Sequence, residues 1–233
     1  MVNFEEFEKN VATIQGRVSQ ACQQAGRAQG SVSILPVTKT HPAEAVSFAA
    51  DLAYKSVGEN RVQEVLEKQS TGEARGVGFE LIGHLQSNKA KQAVETCERI
   101  QSVDSEKLMR RIDRLAGEIG KTQRILVQVN AGEDPAKFGI RCEELEAFLK
   151  VGVSLENIKI EGLMTIAPLD DDPEVARMTF RRLREIRDAM EAELGLALPE
   201  LSMGMTGDLE IAIAEGSTQI RVGSALYGAR NYG

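Results

Sequence analysis

The sequence predicts an α/β protein: a single (β/α)8 barrel of the TIM type, one domain over residues 1–233, with one extra helix ahead of the first strand. Three observations carry this. Eight short apolar runs alternate with helical patterns of about ten or more residues. No run of hairpin signals interrupts them. The length of 233 residues is close to the roughly 250 of such barrels. Strand count alone does not show closure, so an open doubly wound sheet is also compatible, and so are two small domains.

Asn3 followed by Glu6 resembles a capping box, and Phe4, Phe7, Val11, Ile14 and Val18 recur at three- and four-residue steps. That spacing predicts an amphipathic leading helix. Gly16 inside it costs up to about 1 kcal/mol relative to Ala. The stretch SVSILPVTKT, residues 31–40, reads as a buried strand delivering Lys39 at its C-terminal end, with a helix over 42–52 behind it. Pro36 has no N–H to give, so a bulge or a missing ladder bond is expected there. Residues 54–57 form a second strand ending in Gly58-Glu59-Asn60, and a helix starts at Arg61. Gly72, Gly76 and Gly78 mark a loop before strand three, 79–82, which closes on Gly83-His84.

Helix 87–96, strand 99–103 and helix 105–119 follow; Leu108, Ile112, Leu115 and Ile119 make one stripe and Gly120 ends it. Strand five, 123–129, opens into the polar loop 130–139, followed by helix 142–150 and strand six, 158–166. Asp170, Asp171 and Asp172 invite a metal reading, but an Asp N-cap at 172 with Pro173 in the first turn accounts for them without one. The next helix places Ala176, Phe180, Leu183, Ile186, Met190 and Leu194 on one side. Strand seven, 201–203, helix 208–215 and strand eight, 218–222, complete the pattern.

A net charge of -7 argues against nucleic-acid or anionic-membrane surfaces, which want a basic stripe. Arg181, Arg182, Arg184 and Arg187 cluster locally and are expected to form a solvated helix face. Cys22, Cys97 and Cys142 are odd in number and lack C-x-x-C spacing, so neither a disulfide framework nor a zinc site is indicated. The N-terminus has no apolar signal core, and no apolar run approaches the ~20 residues that span a bilayer. A soluble, cytoplasmic protein is expected, and a monomer.

In a barrel the loops after the strands form the active face, with phosphate commonly held after strands seven and eight. Strand one delivers Lys39, strand two Glu59 and Asn60, strand seven Ser202-Met203-Gly204-Met205-Thr206-Gly207, and strand eight Arg221-Val222-Gly223-Ser224. Small residues let backbone N–H groups approach an anion, and the strand-seven loop opens a helix. Side chains alternate along a strand, so with Ile220 and Val222 facing the helices Arg221 points inward, and Ser33, Leu35, Val37 and Lys39 share one face. An inward arginine is equally a buried ion pair or a ligand contact. A lysine closing a strand either reaches for water or is a partly desolvated amine able to form a Schiff base. Together, an inward lysine, an inward arginine and an anion cradle suggest a phosphorylated aldehyde, for which pyridoxal 5'-phosphate (PLP) has the right groups.

At these residues the sequence resembles the PLP-binding, pyridoxal-phosphate homeostasis protein family, whose fold is like the barrel domain of alanine racemase. The matching stretches are PVTKTHP, VGENRVQE, ELIGHLQSNKAK, IQSVDS, VQVNAGEDPAKFG, IEGLMTIAP, LSMGMTGD and STQIRVGSALYG, nearly the whole chain. The resemblance implies that Lys39 forms the internal aldimine, that Asn60 lies near the ring, that Arg221 meets the ring nitrogen, and that Ser202, Thr206, Gly223 and Ser224 bind the phosphate. Met203 and Gly204 belong to the same cofactor-binding loop. There are departures: the usual Val-Ser-Lys is Val-Thr-Lys, the serine of Gly-Met-Ser is Thr206, a common His is Glu80, and Pro36 replaces a small residue.

The resemblance implies a carrier in vitamin B6 homeostasis rather than an enzyme, handing PLP to recipient apo-enzymes. Alanine racemase-like enzymes take an opposing base from a second domain, and this chain stops just after strand eight. The alternatives are a PLP-dependent amino-acid racemase with His84 or Glu59 as base, or a Schiff-base aldolase using Lys39. For both His84 and Glu59 the plainer expectation is local pairing, Glu59 with Arg61 or a neighbouring cation. An arginine at the ring nitrogen cannot give up its proton, which weakens the cofactor as an electron sink.

Overall fold

A computed structural model describes residues 1–228. Eight strands, β1 Ser33–Pro36, β2 Ser56–Glu59, β3 Gly78–Leu81, β4 Arg99–Val103, β5 Gln123–Gln128, β6 Ile158–Met164, β7 Glu200–Ser202 and β8 Gln219–Val222, form one parallel sheet in the order β1-β8-β7-β6-β5-β4-β3-β2. The two ends meet: Val37 bridges Gly58, and Thr38 N–H donates to the Gly58 carbonyl at 3.1 Å. The barrel is therefore nearly closed, and the seam lies between β1 and β2.

Pro36 explains why the seam is thin. Ser33 and Val37 N–H groups point to β8, donating to Thr218 and Val222 carbonyls at 2.8 Å each. Position 36 alternates to the other side, toward β2, and there it has no donor. The expected missing bond is found at that edge. β2 runs two residues beyond its predicted end because Gly58 and Glu59 pair with Glu80 and Leu81 of β3. Gly58 is a packing glycine: a Cβ there would sit 3.2 Å from Ile82 and Leu35.

The helices are α1 Phe4–Gln24, α2 Glu44–Asp51, α3 Val62–Ser70, α4 Ala90–Thr96, α5 Glu106–Glu118, α6 Leu145–Val153, α7 Pro173–Leu194, α8 Leu209–Ala214 and α9 Ser224–Tyr227. Short 3-10 turns precede α4 and α6, and the one-turn α9 has no counterpart in the sequence reading. Asn3 caps α1 by accepting from Glu6 N–H at 2.9 Å, and Asp172 caps α7 by accepting from Glu174 N–H at 2.9 Å with Pro173 beside it. Among the described residues no helix is long and apolar enough to cross a membrane.

The outer core fills the layer between sheet and helices, with Phe79, Ile100, Ile112, Ile125, Leu163 and Phe180 among its buried members. A second cluster joins α1 to the β8 side. Phe7, Val11, Ile14 and Val18 pack with Phe48, Leu209, Ile220 and Tyr227, and the Phe7 and Tyr227 rings stack at 4.8 Å. α1 runs unbroken through Gly16, where an added Cβ would meet nothing within 4 Å. Gly16→Ala is expected to stabilise the protein by about 0.5–1 kcal/mol through lower unfolded-state entropy, measured as a raised denaturation midpoint at unchanged m-value.

The arginine cluster on α7 differs from expectation. Arg181 and Arg184 reach Glu215 at 3.0 and 3.3 Å, joined by Arg177 at 3.6 Å, while Arg182 pairs with Glu133 at 2.6 Å. Glu215 is buried, so these guanidiniums neutralise a carboxylate and tie α7 to the end of α8 instead of simply facing water. Arg187 is likewise paired, with Asp188 at 2.6 Å.

Candidate active site and cofactor pocket

Strand alternation turns one side chain in two toward the barrel axis, and here that interior is largely polar. From β3 comes Glu80, from β4 Arg99 and Gln101, from β6 Glu161, from β7 Ser202 and from β8 Gln219 and Arg221, all buried. Arg99 bonds Glu80 at 2.8 Å and lies 3.5 Å from Glu161. Gln101 Nε2 donates to Glu80 and to Gln219 Oε1, at 2.5 and 2.7 Å. Ser202 Oγ donates to Gln101 Oε1 at 2.6 Å and accepts from Arg221 Nη1 at 2.8 Å. Glu80, at the position where the resemblance expects histidine, thus anchors a chain of hydrogen bonds that ends on Arg221.

Above this floor, at the C-terminal ends of the strands, lies a cavity of about 490 Å³. Lys39, Asn60, Thr206, Arg221, Gly223 and Ser224 line it. Val37, Ile82, Ile166 and Phe138 give it apolar walls, and Gly83, His84, Gln128, Met205 and Gly207 complete it. A groove of similar volume beside α7, at Gly132 and Thr179, holds no lysine, and two of its arginines are paired with Glu133 and Glu215.

Lys39 is half-buried and pinned on both sides by α3. Ahead of it, the Thr38 carbonyl accepts from Lys68 Nζ at 2.6 Å and the Thr38 hydroxyl donates to Glu59 Oε1 at 2.5 Å. Behind it, Thr40 N–H donates to Glu64 Oε2 at 2.7 Å. Thr40 has φ +65°, a left-handed conformation that costs a non-glycine residue roughly 1–2 kcal/mol. The backbone carrying the amine is therefore held in a geometry it would not adopt alone.

Glu59 is fully buried and pairs with Lys68, not with Arg61. Burial pushes its carboxyl above the ordinary range, against the opposing pull of Lys68 and the Thr38 hydroxyl. It does not line the cavity, and the plainer of the two expectations for it fits the geometry.

Arg221 has no carboxylate within bonding distance among the described residues; its acceptors are Ser202 Oγ and the Thr165 carbonyl at 2.9 Å. Burial lowers its pKa to about 10, with Asp208 opposing, so it is charged at neutral pH. Two of a guanidinium's five N–H groups are spent on these acceptors, and the side chain still faces the cavity.

The strand-seven loop is placed by its ends. Met205 N–H donates to Asp208 Oδ1 at 2.5 Å, and Arg17 of α1, paired with Glu210, donates to the Thr206 carbonyl at 3.0 Å. The leading helix thus braces the cavity rim. Three residues of this loop lie elsewhere than the sequence reading put them. The Ser202 hydroxyl is consumed by Gln101 and Arg221 beneath the cavity. Met203 belongs to the outer core. Gly204, at φ +95°, closes a turn against α8, where a Cβ would come 2.5 Å from Ala212. The helix beyond is only six residues long and begins next to Asp208, while Thr206, Gly207, Gly223 and Ser224 form the rim of the cavity.

His84 was singled out in the sequence; its partners were not. Its ring stacks on Phe138 with centroids 3.9 Å apart and planes 12° apart, and Nδ1 lies 3.4 Å from Asp104 Oδ2. Burial raises the Asp104 carboxyl above its ordinary value, and His84 opposes that rise.

The model of the alanine racemase N-terminal domain family matches residues 3–231. The chain is 39% identical over 216 residues to the pyridoxal phosphate homeostasis protein of Aquifex aeolicus, covering 93% of this chain and 95% of that one. It is 32% identical over 232 residues to the protein of the same name from Escherichia coli K12, with 97% and 98% covered. Among solved structures, PipY of Synechococcus elongatus PCC7942 with PLP bound superposes with a TM-score of 0.81 at 37% identity, covering 91% of this chain and all of that one. Alanine racemase of Clostridium difficile superposes at 0.79 with 14% identity, over 97% of this chain and 57% of that one, a likeness of fold. A barrel that carries its lysine, arginine and glycine-serine rim in one cavity, in a sequence this close to these relatives, belongs to the pyridoxal phosphate homeostasis protein family.

Proposed function

We propose that this protein binds PLP in the cavity above Arg221, attached through Lys39, and acts as a cytoplasmic carrier that holds the cofactor and releases it to recipient apo-enzymes. The observation that carries the reading is the convergence of Lys39, Arg221 and the Thr206–Gly223–Ser224 rim on one cavity of about 490 Å³. That volume falls within the roughly 300–1,000 Å³ of small-ligand sites. The donor set also fits: an amine, a cationic side chain, two hydroxyls and backbone amides left open by glycine.

When bound, PLP supplies an aldehyde carbon that condenses with a primary amine. Lys39 supplies that amine from a backbone fixed by Lys68 and Glu64. Thr206 and Ser224 supply hydroxyl donors for the phosphate, and Gly207 and Gly223 let main-chain N–H groups approach it. Arg221 would present to the ring edge a proton it does not release, and so would favour an unprotonated ring nitrogen and holding over turnover. Asn60 bounds the ring space beside Lys39.

On adding PLP, the protein is expected to develop a visible absorption band that Lys39→Ala lacks while keeping its thermal midpoint within a few degrees. A band of equal intensity in Lys39→Ala would refute the attachment, and turnover of amino acids by the loaded protein would refute the carrier role.

A further inference from the structure

His84 is the one imidazole lining the cavity among the described residues. We infer that His84, oriented by Asp104 and Phe138, is the proton-transfer residue for attaching PLP to Lys39 and for releasing it. The inference rests on the reading that Lys39 carries the cofactor.

The geometry supports it in three ways. Asp104 Oδ2 lies 3.4 Å from Nδ1, which favours a proton on Nδ1 and leaves Nε2 as the nitrogen that takes and returns protons. Phe138 stacks flat on the ring at 3.9 Å and fixes its plane. The imidazole side chain is 36% exposed while Asp104 is 12% exposed, so the histidine can exchange protons with water while its orienting carboxylate stays shielded. This is the base-and-orienter arrangement of acid–base sites.

Attachment needs such a group. Lys39 Nζ gives its lone pair to the aldehyde carbon, forming the C–N bond. His84 Nε2 donates a proton to the aldehyde oxygen and regains one from the attacking nitrogen, then donates again so that the oxygen departs as water while the C–N double bond forms, and the nitrogen's second proton restores the imidazole. One aldehyde and one amine give one imine and one water, with no change of oxidation state. Release is the reverse, with His84 delivering a proton to Nζ. A group used this way speeds both directions equally and leaves the equilibrium alone.

The test follows PLP loading and release by stopped-flow absorbance in wild type, His84→Asn and His84→Ala. Both rates are expected to fall by about 10²-fold with the dissociation constant unchanged. Added imidazole is expected to restore His84→Ala, and Asp104→Asn to slow both rates while sparing the constant. Unchanged rates, or a loss appearing wholly in the dissociation constant, would overturn the role and leave the cofactor reading standing. A wild type that never develops the visible band would instead remove the cofactor reading, and this inference with it.

Discussion

Arg99→Met is expected to lower stability by about 3–5 kcal/mol, because it strips buried Glu80 of its paired cation and buried Glu161 of one of its three. For a chain of this size that is a drop of roughly 6–20 °C in thermal midpoint, read by calorimetry. Arg99 is 4% exposed, and Glu80 and Glu161 are 6% and 9% exposed. Without the guanidinium Glu80 keeps only the Gln101 and Ser56 donors. The pH dependence identifies the cause. Burial alone would raise Glu161, but Arg124, Arg99 and Lys159 together hold its carboxyl below the ordinary range. A depressed carboxyl adds stability above its unfolded pKa, about 4.3 for Glu, and loses it as pH falls through the folded value. The gap between wild type and Arg99→Met should therefore be widest at neutral pH and shrink on acidification below about 4. A gap independent of pH would show that lost packing, not lost charge, is responsible.

Lys68→Met is expected to cost a similar 3–5 kcal/mol and, unlike Arg99→Met, to act directly on the cofactor site. It removes the only cation bonded to fully buried Glu59 among the described residues, and the donor to the Thr38 carbonyl beside Lys39. Glu59, already pushed up by burial, would rise further and take a proton. A carboxyl raised in the folded state contributes stability that is present below its unfolded pKa and lost as pH rises through its folded pKa. Lys68→Met should therefore be more stable in mild acid than at neutral pH. Glu59→Gln combined with Lys68→Met should recover at least half of the loss, since no uncompensated buried charge remains. Failure of the double variant to recover would mean that the Thr38 contact, rather than the buried charge, carries the effect.

Some of this was readable from local rules. Period-two alternation on β8 is enough to send Arg221 inward between Ile220 and Val222, and the missing donor of Pro36 is enough to thin one seam of the barrel. Lys39, Asn60, Thr206, Gly223 and Ser224 reach one cavity because each closes a strand, and strand ends gather at one face of the barrel. What the sequence hides are partners brought together by closure. Ser202 looks like a free hydroxyl in a phosphate loop, and only the approach of β4 across the barrel reveals that Gln101 holds it. Glu59 pairs with Lys68 through the turn of β2 into α3, a geometry that spacing does not specify. Phe138 sits in a loop rich in polar residues and reads as incidental until it is seen stacked on His84. The predicted end of β2 fell short because glycine reads as a breaker, whereas Gly58 is small to admit Leu35 and Ile82.

Attachment of PLP at Lys39, in the cavity shared with Arg221, can be tested covalently. The most direct measurement is borohydride reduction of the PLP-loaded protein followed by peptide mass spectrometry. One pyridoxyl-phosphate addition per chain is expected, located on Lys39, with the other lysines unmodified at stoichiometric cofactor. A reduced adduct located on another lysine, or none at all from a protein that retains PLP, would contradict it.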